Sequence, residues 1–336
     1  MNSPTLAPVP YETILEAARD YVSDDLENVH RLMGEVAEQA PGKLALHLGQ
    51  LLTRRGKRIR STFLLLLARS NQDASRDRAI RACAAVELIH QASLIHDDII
   101  DGSEVRRNEQ AAHRRWGNRM AVLLGDYMMA KAMELIWSDP DPRVPLSLSK
   151  ASARLIRAEV AEIDQSGNLE LTKDAYFDII EGKTAALLEA CGECAAVVAG
   201  YDIERVKQCA ELGRHFGVSF QIIDDLLDFG FGAVNLDKRT FSDVKNGLLT
   251  LPLILFRDAA TSADKAALPA LIAAAKDNAG QQILQAKMAE AGVFEQARQI
   301  ALSRVDACMP VLNALPKGIS TNHLLQVCRL MIDRSA

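Results

Sequence analysis

Apolar residues return every three to four positions along almost the whole of this chain, and that period decides its fold class. "YETILEAARDYV", "AIRACAAVELIHQASLIHDDII", "AVLLGDYMMAKAMELI", "YFDIIEGKTAALLEACGECAAVVA" and "AELGRHFGVSFQIIDDLLDF" all carry it, whereas sustained apolar/polar alternation is nearly absent. A 3.6-residue repeat gathers its apolar positions on one stripe of a helix but scatters them over both faces of a strand. The sequence therefore predicts an all-α fold. Several segments are apolar around most of their circumference, which places them centrally in one large bundle of about ten or more helices. Breaks fall at "QAPGK" before Leu44, "SNQDASRD" after Arg69, "SDPDPRVP" before Leu146, "QSGNLEL" before Thr172 and "DFGFGAVNLDKRTFSD" after Leu227. None is long enough to link two domains, so residues 1–336 read as a single helical domain with residues 1–10 as an extended arm.

Composition narrows the function classes. A formal net charge of −5 leaves no electrostatic footprint for nucleic acid or an anionic membrane. The longest apolar runs, "STFLLLLA" and "LLTLPLILF", are too short to span a bilayer, and the first residues lack the pattern of a secretory signal or transit peptide. The six cysteines sit mostly in Ala-rich helical surroundings, where a thiol acts as a small hydrophobe. Cys191 and Cys194 have the spacing of half a zinc site, with no second pair to answer them. A reduced, soluble, cytoplasmic protein is expected.

Against that background, "LIHDDIIDGSEVRRN" (94–108) and "FQIIDDLLDF" (220–229) each set three carboxylates into an apolar helix. At about 100° per residue, Asp97, Asp98 and Asp101 share one helical face, as do Asp224, Asp225 and Asp228. Like charges at i,i+4 destabilise an isolated helix by about a few tenths of a kcal/mol, and flanking isoleucines and leucines raise that cost by burial. One such triplet could be a solvated helix end; two call for a compensating cation. Mg²⁺ suits the pattern, because it takes one or two carboxylates at a time and completes its shell with water and phosphate oxygens.

Basic residues accompany both triplets: Arg106 and Arg107 after the first, Lys238 after the second, Lys183 inside the apolar "IIEGKTAALL", and Lys57, Arg58 and Arg60 in "RRGKRIR". Taken singly, "RRGKRIR" could be a targeting patch and Lys183 could snorkel from a buried helix. Together with the carboxylates they suggest a polyanionic substrate shared between metal and side chains. "EGKT" (181–184) lacks the first glycine of a phosphate-binding loop and lies within a helix, which disfavours nucleotide binding.

In this order, "RGKRIRS", "ELIHQASLIHDDIIDGSEVRRN", "WGNRMAVLLGDYMMA", "IIEGKTAALLEA", "FGVSFQIIDDLLDF" and "SDVKNGLLTLPLI" make the chain resemble, over roughly Asp25 to Asp333, the trans-isoprenyl (polyprenyl) diphosphate synthases. These enzymes join isopentenyl diphosphate head-to-tail to an allylic diphosphate. The resemblance implies an isoprenoid-synthase bundle around a central cavity, a homodimer, and three Mg²⁺ ions clamped on the allylic diphosphate by Asp97, Asp98, Asp101, Asp224, Asp225 and Asp228. It further implies that Arg106, Lys183 and Lys238 hold that diphosphate and that Lys57, Arg60, His90 and Arg107 hold isopentenyl diphosphate. The side-chain oxygens of Thr184 and Gln221 would face the cationic carbon chain. His96 has no role in this scheme. Asn108, Asp237, Arg239 and Phe241 depart from the family pattern, and with "GFGAVN" they make the loop from Gly230 to Ser242 atypical.

Short-chain members carry bulky aromatics four and five residues before the first aspartate; Ser93 and Ala92 stand there. With Ile89, Ala85 and Ala82 they form a mostly small stripe, and Ala82 to Asp97 covers about 22 Å of helix. A long-chain product, as for a quinone side chain, is expected, with Met128, Met129 or Met133 as a possible floor. Rival readings are a short-chain farnesyl or geranylgeranyl diphosphate synthase, a terpene cyclase, a metal-dependent phosphohydrolase suggested by "HDD" (96–98), and a non-catalytic partner subunit.

Overall fold

The structure, a computed structural model, describes residues 11–53, 56–107, 109–231 and 241–330. The chain runs through α1 (Tyr11–Tyr21), α2 (Ser23–Glu38), α3 (Lys43–Leu52) and α4 (Ile59–Ala68) into the long α5 (Arg76–Ile100). A hairpin of β1 (Val105–Arg106) and β2 (Glu109–Gln110) leads to α6 (Ala112–Trp116), α7 (Asn118–Trp137) and α8 (Arg143–Gln165). Next come α9 (Lys173–Ile180), a π-helical turn (Glu181–Ala185), α10 (Ala186–Val198) and the long α11 (Ile203–Asp228). The remainder is α12 (Ser242–Lys245), α13 (Leu251–Ala259), α14 (Ser262–Ala274), α15 (Asn278–Glu290), α16 (Val293–Ala314) and α17 (Ile319–Leu330).

The all-α expectation holds, and four of the five breaks fall between helices as the turn residues indicated. The arm at residues 1–10 and the atypical loop between Phe231 and Phe241 lie outside the described residues. Two features were not foreseen: the short hairpin, and the π-helical turn that interrupts "YFDIIEGKTAALLEACGECAAVVA" at Glu181–Ala185. Among the described residues no helix is long and apolar enough to cross a membrane.

α4 is buried on nearly all sides, as its apolar circumference requires. It packs with α5 and α10, while α5 lies chiefly along α7 and α10 lies between α8 and α11. A second apolar cluster joins α9 and the end of α11 to α13, α15 and α16, where Phe229 meets Phe241 edge-on at 5.2 Å. α5 and α11 both start from side-chain caps: Ser75 accepts from the Arg78 N–H at 3.4 Å and Asp202 from the Arg205 N–H at 2.8 Å. Each helix then ends in its aspartate triplet.

Two glycines let the π-turn approach its neighbours. A Cβ on Gly217 of α11 would lie 2.5 Å from the Ala185 Cα, and one on Gly182 would lie 2.6 Å from the Ala158 Cβ on α8. Gly217→Ala must therefore force α11 and the π-turn apart; we expect a loss of about 1–3 kcal/mol, seen as a lower urea midpoint at unchanged slope. An unchanged midpoint would mean that this contact relaxes freely.

Candidate active site

The aspartates occupy the unfavourable end of each helix. Asp97 and Asp98 lie in the last turn of α5 and Asp101 is its C-cap, while Asp225 and Asp228 lie in the last turn of α11. Unpaired carbonyls already make a helix C-terminus partly negative, so carboxylates there add to repulsion among themselves. Asp98 and Asp225 are both buried, at 2% exposure each.

Cations from other elements answer this charge. Arg106 of β1 donates to Asp98 Oδ1 from Nε at 2.8 Å and from Nη2 at 2.5 Å. Lys183, on the π-turn, stands 3.0 Å from Glu159 Oε2 and hydrogen-bonds Glu162 Oε1, both on α8. Burial alone would lower the Lys183 pKa, but these two glutamates hold it above its ordinary value. The sequence reading missed Glu159 and Glu162. Their only local signal is a pair of glutamates three residues apart among Ala, Val and Ile, which a solvated face would also produce.

The second triplet is tied into a network. Asp225 accepts from the Tyr176 hydroxyl of α9 at 2.5 Å on Oδ2 and from Gln221 Nε2 at 2.8 Å on Oδ1. Gln221 Oε1 in turn accepts from the Thr184 hydroxyl at 2.6 Å. Asp228 accepts from Ser242 Oγ at 2.5 Å and from the backbone N–H groups of Ser242 and Asp243. Asp224 is exposed. Burial, then Asp228 and Asp225, push the Asp243 carboxyl well above the usual range, so a further acid unforeseen in the sequence stands beside this triplet. Glu162 lies in the field of Asp101 and contributes to the field at Asp243, so both triplets border one site.

A separate cationic group forms around His90. Arg60 Nη1 lies 3.2 Å from His90 Nε2, and Arg60 Nε finds no hydrogen-bond partner among the described residues. Burial, followed by Arg60 and Arg107, depresses the His90 pKa far below 6.5, so the ring is neutral and its Nε2 accepts. Arg107 lies against the backbone of Gly56, where a Cβ would sit 3.3 Å from its Nη1, and Lys57 follows as an exposed side chain. Arg58 points elsewhere: it donates to the buried Glu87 at 2.8 Å, and Ser61 completes that carboxylate at 2.6 Å. Arg58 and Arg107 both adopt a left-handed backbone at φ 52°, a conformation non-glycine residues rarely take and one that clusters at functional sites.

Other sequence candidates fall outside this group. His96 faces α7, 3.3 Å from the Val122 carbonyl and over Gly125, where a Cβ would lie 2.2 Å from its Nε2. It docks two helices, which removes the basis of the phosphohydrolase reading. Cys191 and Cys194 are buried, and burial pushes the Cys191 thiol up to about 12. Lys238 and Asn108 lie outside the described residues. Of the chain-length stripe, Ala85, Ile89 and Ala92 are packed to 0–1% exposure, while Ser93 is part-buried and donates to the His90 carbonyl at 3.0 Å.

No three His, Cys, Asp or Glu groups among the described residues form a ready-made metal centre. The donors that border the site are carboxylate oxygens, which fits a hard divalent cation whose shell is completed by water and phosphate. Burial, followed by Glu159, raises Asp97 to about 7, and burial raises Asp225 to about 7 against its Tyr176 and Gln221 hydrogen bonds. The metal-free fold thus keeps protons that the unfolded chain releases from about 3.8 upward, so its stability falls as pH rises from there to about 7. We expect its melting temperature to decline across that window, Asp97→Asn to flatten the decline, and Mg²⁺ to restore stability above it. A metal-free melting temperature that rises through the window would contradict this.

Residues 43–290 match the family model described as Polyprenyl synthetase. The all-trans-nonaprenyl-diphosphate synthase (geranyl-diphosphate specific) of Rhodobacter capsulatus is 31% identical over 280 residues, covering 83% of this chain and 85% of that protein. The crystal structure of a decaprenyl diphosphate synthase from Rhodobacter capsulatus superposes with a TM-score of 0.89 at 29% identity, covering 97% of this chain and 100% of the other. That of a polyprenyl synthase from Caulobacter crescentus CB15, complexed with calcium and isoprenyl diphosphate, gives 0.87 at 28% identity over 96% and 98%. The fold is therefore that of the isoprenoid synthases, and this chain belongs to the polyprenyl synthetase family as a prenyltransferase that makes polyprenyl diphosphates.

Proposed function

We propose that the enzyme condenses isopentenyl diphosphate head-to-tail with an allylic diphosphate primer, in a Mg²⁺-dependent reaction, to give a long all-trans polyprenyl diphosphate of the kind used for quinone side chains. The observation that carries this reading is that the two acidic triplets with Lys183 are accompanied by a separate cationic group of Arg60, His90 and Arg107, which we read, with Lys57, as a second diphosphate subsite. Two diphosphates need two such places; a hydrolase or a terpene cyclase needs only one.

Asp97, Asp101 and Asp224 are the carboxylates for direct metal contact. Asp98 and Asp225, committed to Arg106 and to Tyr176 and Gln221, act by placing those partners, and Asp228 anchors the segment that begins at Phe241. Three Mg²⁺ ions, once bound with substrate, supply positive charge that stabilises diphosphate as a leaving group. Arg106 and Lys183 would hold the oxygens of that diphosphate, a role the family resemblance also gives to Lys238, and Lys183 must exchange its glutamates for them. Neutral His90 accepts from Arg60, which orients the guanidinium and leaves its other N–H groups for isopentenyl diphosphate. As the allylic C–O bond breaks, charge develops on the diphosphate oxygens that these donors would hold. The double bond of isopentenyl diphosphate then attacks the allylic cation, and the proton that is lost goes to the released diphosphate.

Long products are supported by Ser93 and Ala92 in place of aromatics and by the likeness to a nonaprenyl synthase. Ala85, Ile89 and Ala92 are packed, so a growing tail must part α5 from its neighbours at those residues. Incubation with labelled isopentenyl diphosphate, farnesyl diphosphate and Mg²⁺ should give products well beyond twenty carbons. EDTA should abolish them, and Asp97→Ala should cut turnover by about a hundredfold or more without loss of stability. A stop at twenty carbons would make the packed stripe a floor and the enzyme short-chain; no extension from any primer would sink the reading.

Dimerisation is part of the proposal. Ile156, Val160 and Ile163 form one exposed apolar stripe on α8, and Val122 and Leu123 are exposed on the adjoining α7. Sedimentation should give a dimer that Val160→Glu dissociates; a monomer at micromolar concentration would refute it.

A further inference from the structure

The hydrogen bonds that run from Tyr176 to Thr184 have a direction imposed from one end. With the Tyr176 hydroxyl donating to its Oδ2, Asp225 offers Gln221 an accepting Oδ1. It therefore forces Gln221 to present its NH₂ at Asp225 Oδ1, 2.8 Å away, and its carbonyl oxygen to Thr184. The Thr184 hydroxyl has one proton, and it goes to that carbonyl at 2.6 Å. What remains on Thr184 are oxygen lone pairs, the atoms needed against a cationic carbon chain. Tyr176 closes the far end. Its hydroxyl holds Asp225 Oδ2 at 2.5 Å, and the residue as a whole is 3% exposed. The relay spans α9, the π-turn and α11, and the missing side chain of Gly217 lets the last two approach each other closely.

We propose that Tyr176 is a positioning residue: by fixing the Asp225 carboxylate it sets the orientation of the Gln221 amide, and so aims the lone pairs of Thr184 at the allylic cation. This rests on the prenyl-transfer reading above. Without the tyrosine hydroxyl, Asp225 is held on one oxygen only and can rotate, Gln221 loses its enforced orientation, and the Thr184 proton is free to turn toward the cation, where it repels. Diphosphate binding is served by other residues and does not depend on the relay.

Tyr176→Phe keeps the buried ring and removes one hydroxyl. Its kcat should fall about tenfold, while KM for both diphosphates and the calorimetric Kd for a non-ionisable allylic thiodiphosphate stay within about twofold. Thr184→Val, similar in shape, should lose at least as much kcat, and Tyr176→Phe/Thr184→Val should be no slower than Thr184→Val alone, because both changes cut one relay. A merely structural role would instead shift the Kd and make the two losses multiply. Near-normal kcat in either single variant, or multiplying losses in the pair, would overturn the proposal. Thr184→Val keeps the test decisive if Tyr176→Phe does not fold. Failure of the unaltered enzyme to extend any primer would sink the prenyl-transfer reading instead, independently of the relay.

Discussion

Carboxylate repulsion at two helix C-termini is the constraint from which the rest of the site follows. α5 and α11 are long, capped at their starts and mostly buried, and each delivers three aspartates where the backbone is already electronegative. The fold tolerates this by bringing counter-charge from elsewhere: Arg106 from a hairpin and Lys183 from a π-turn. Burial first, and neighbouring carboxylates after it, raise the proton affinities of Asp97 and Asp225.

The π-turn solves a packing problem. Lys183 and Thr184 are adjacent, yet one reaches α8 and the other α11. A turn with an extra residue widens the helix locally and lets consecutive side chains address two neighbours, and such turns recur at functional sites. Gly182 and Gly217 bring those neighbours close enough on either side. In the proposed reaction, charge at the leaving group and lone pairs near the cation would thereby be set from a single five-residue segment.

The helical fold was legible because a 3.6-residue period needs no tertiary information, and the six aspartates were legible because charge inside an apolar stripe contradicts its surroundings. Adjacent basic residues were not separable in the same way. Arg58 and Arg60 look alike in "RRGKRIR", but the left-handed backbone at Arg58 turns it onto Glu87 while Arg60 meets His90. Glu159, Glu162, Asp243 and Tyr176 escaped notice because each is ordinary along the chain and acquires meaning only from what faces it.

By itself, then, the sequence determined the periodic apolar faces, the capped helices, the two acidic triplets and the motif order that marks the family, since all of these depend on residues close together in the chain. Only the tertiary structure decided which carboxylates are committed to partners, which arginine meets His90, and that the small residues near Ser93 are packed. Those outcomes depend on groups far apart in sequence, whose distances and burial exist only once the helices have docked.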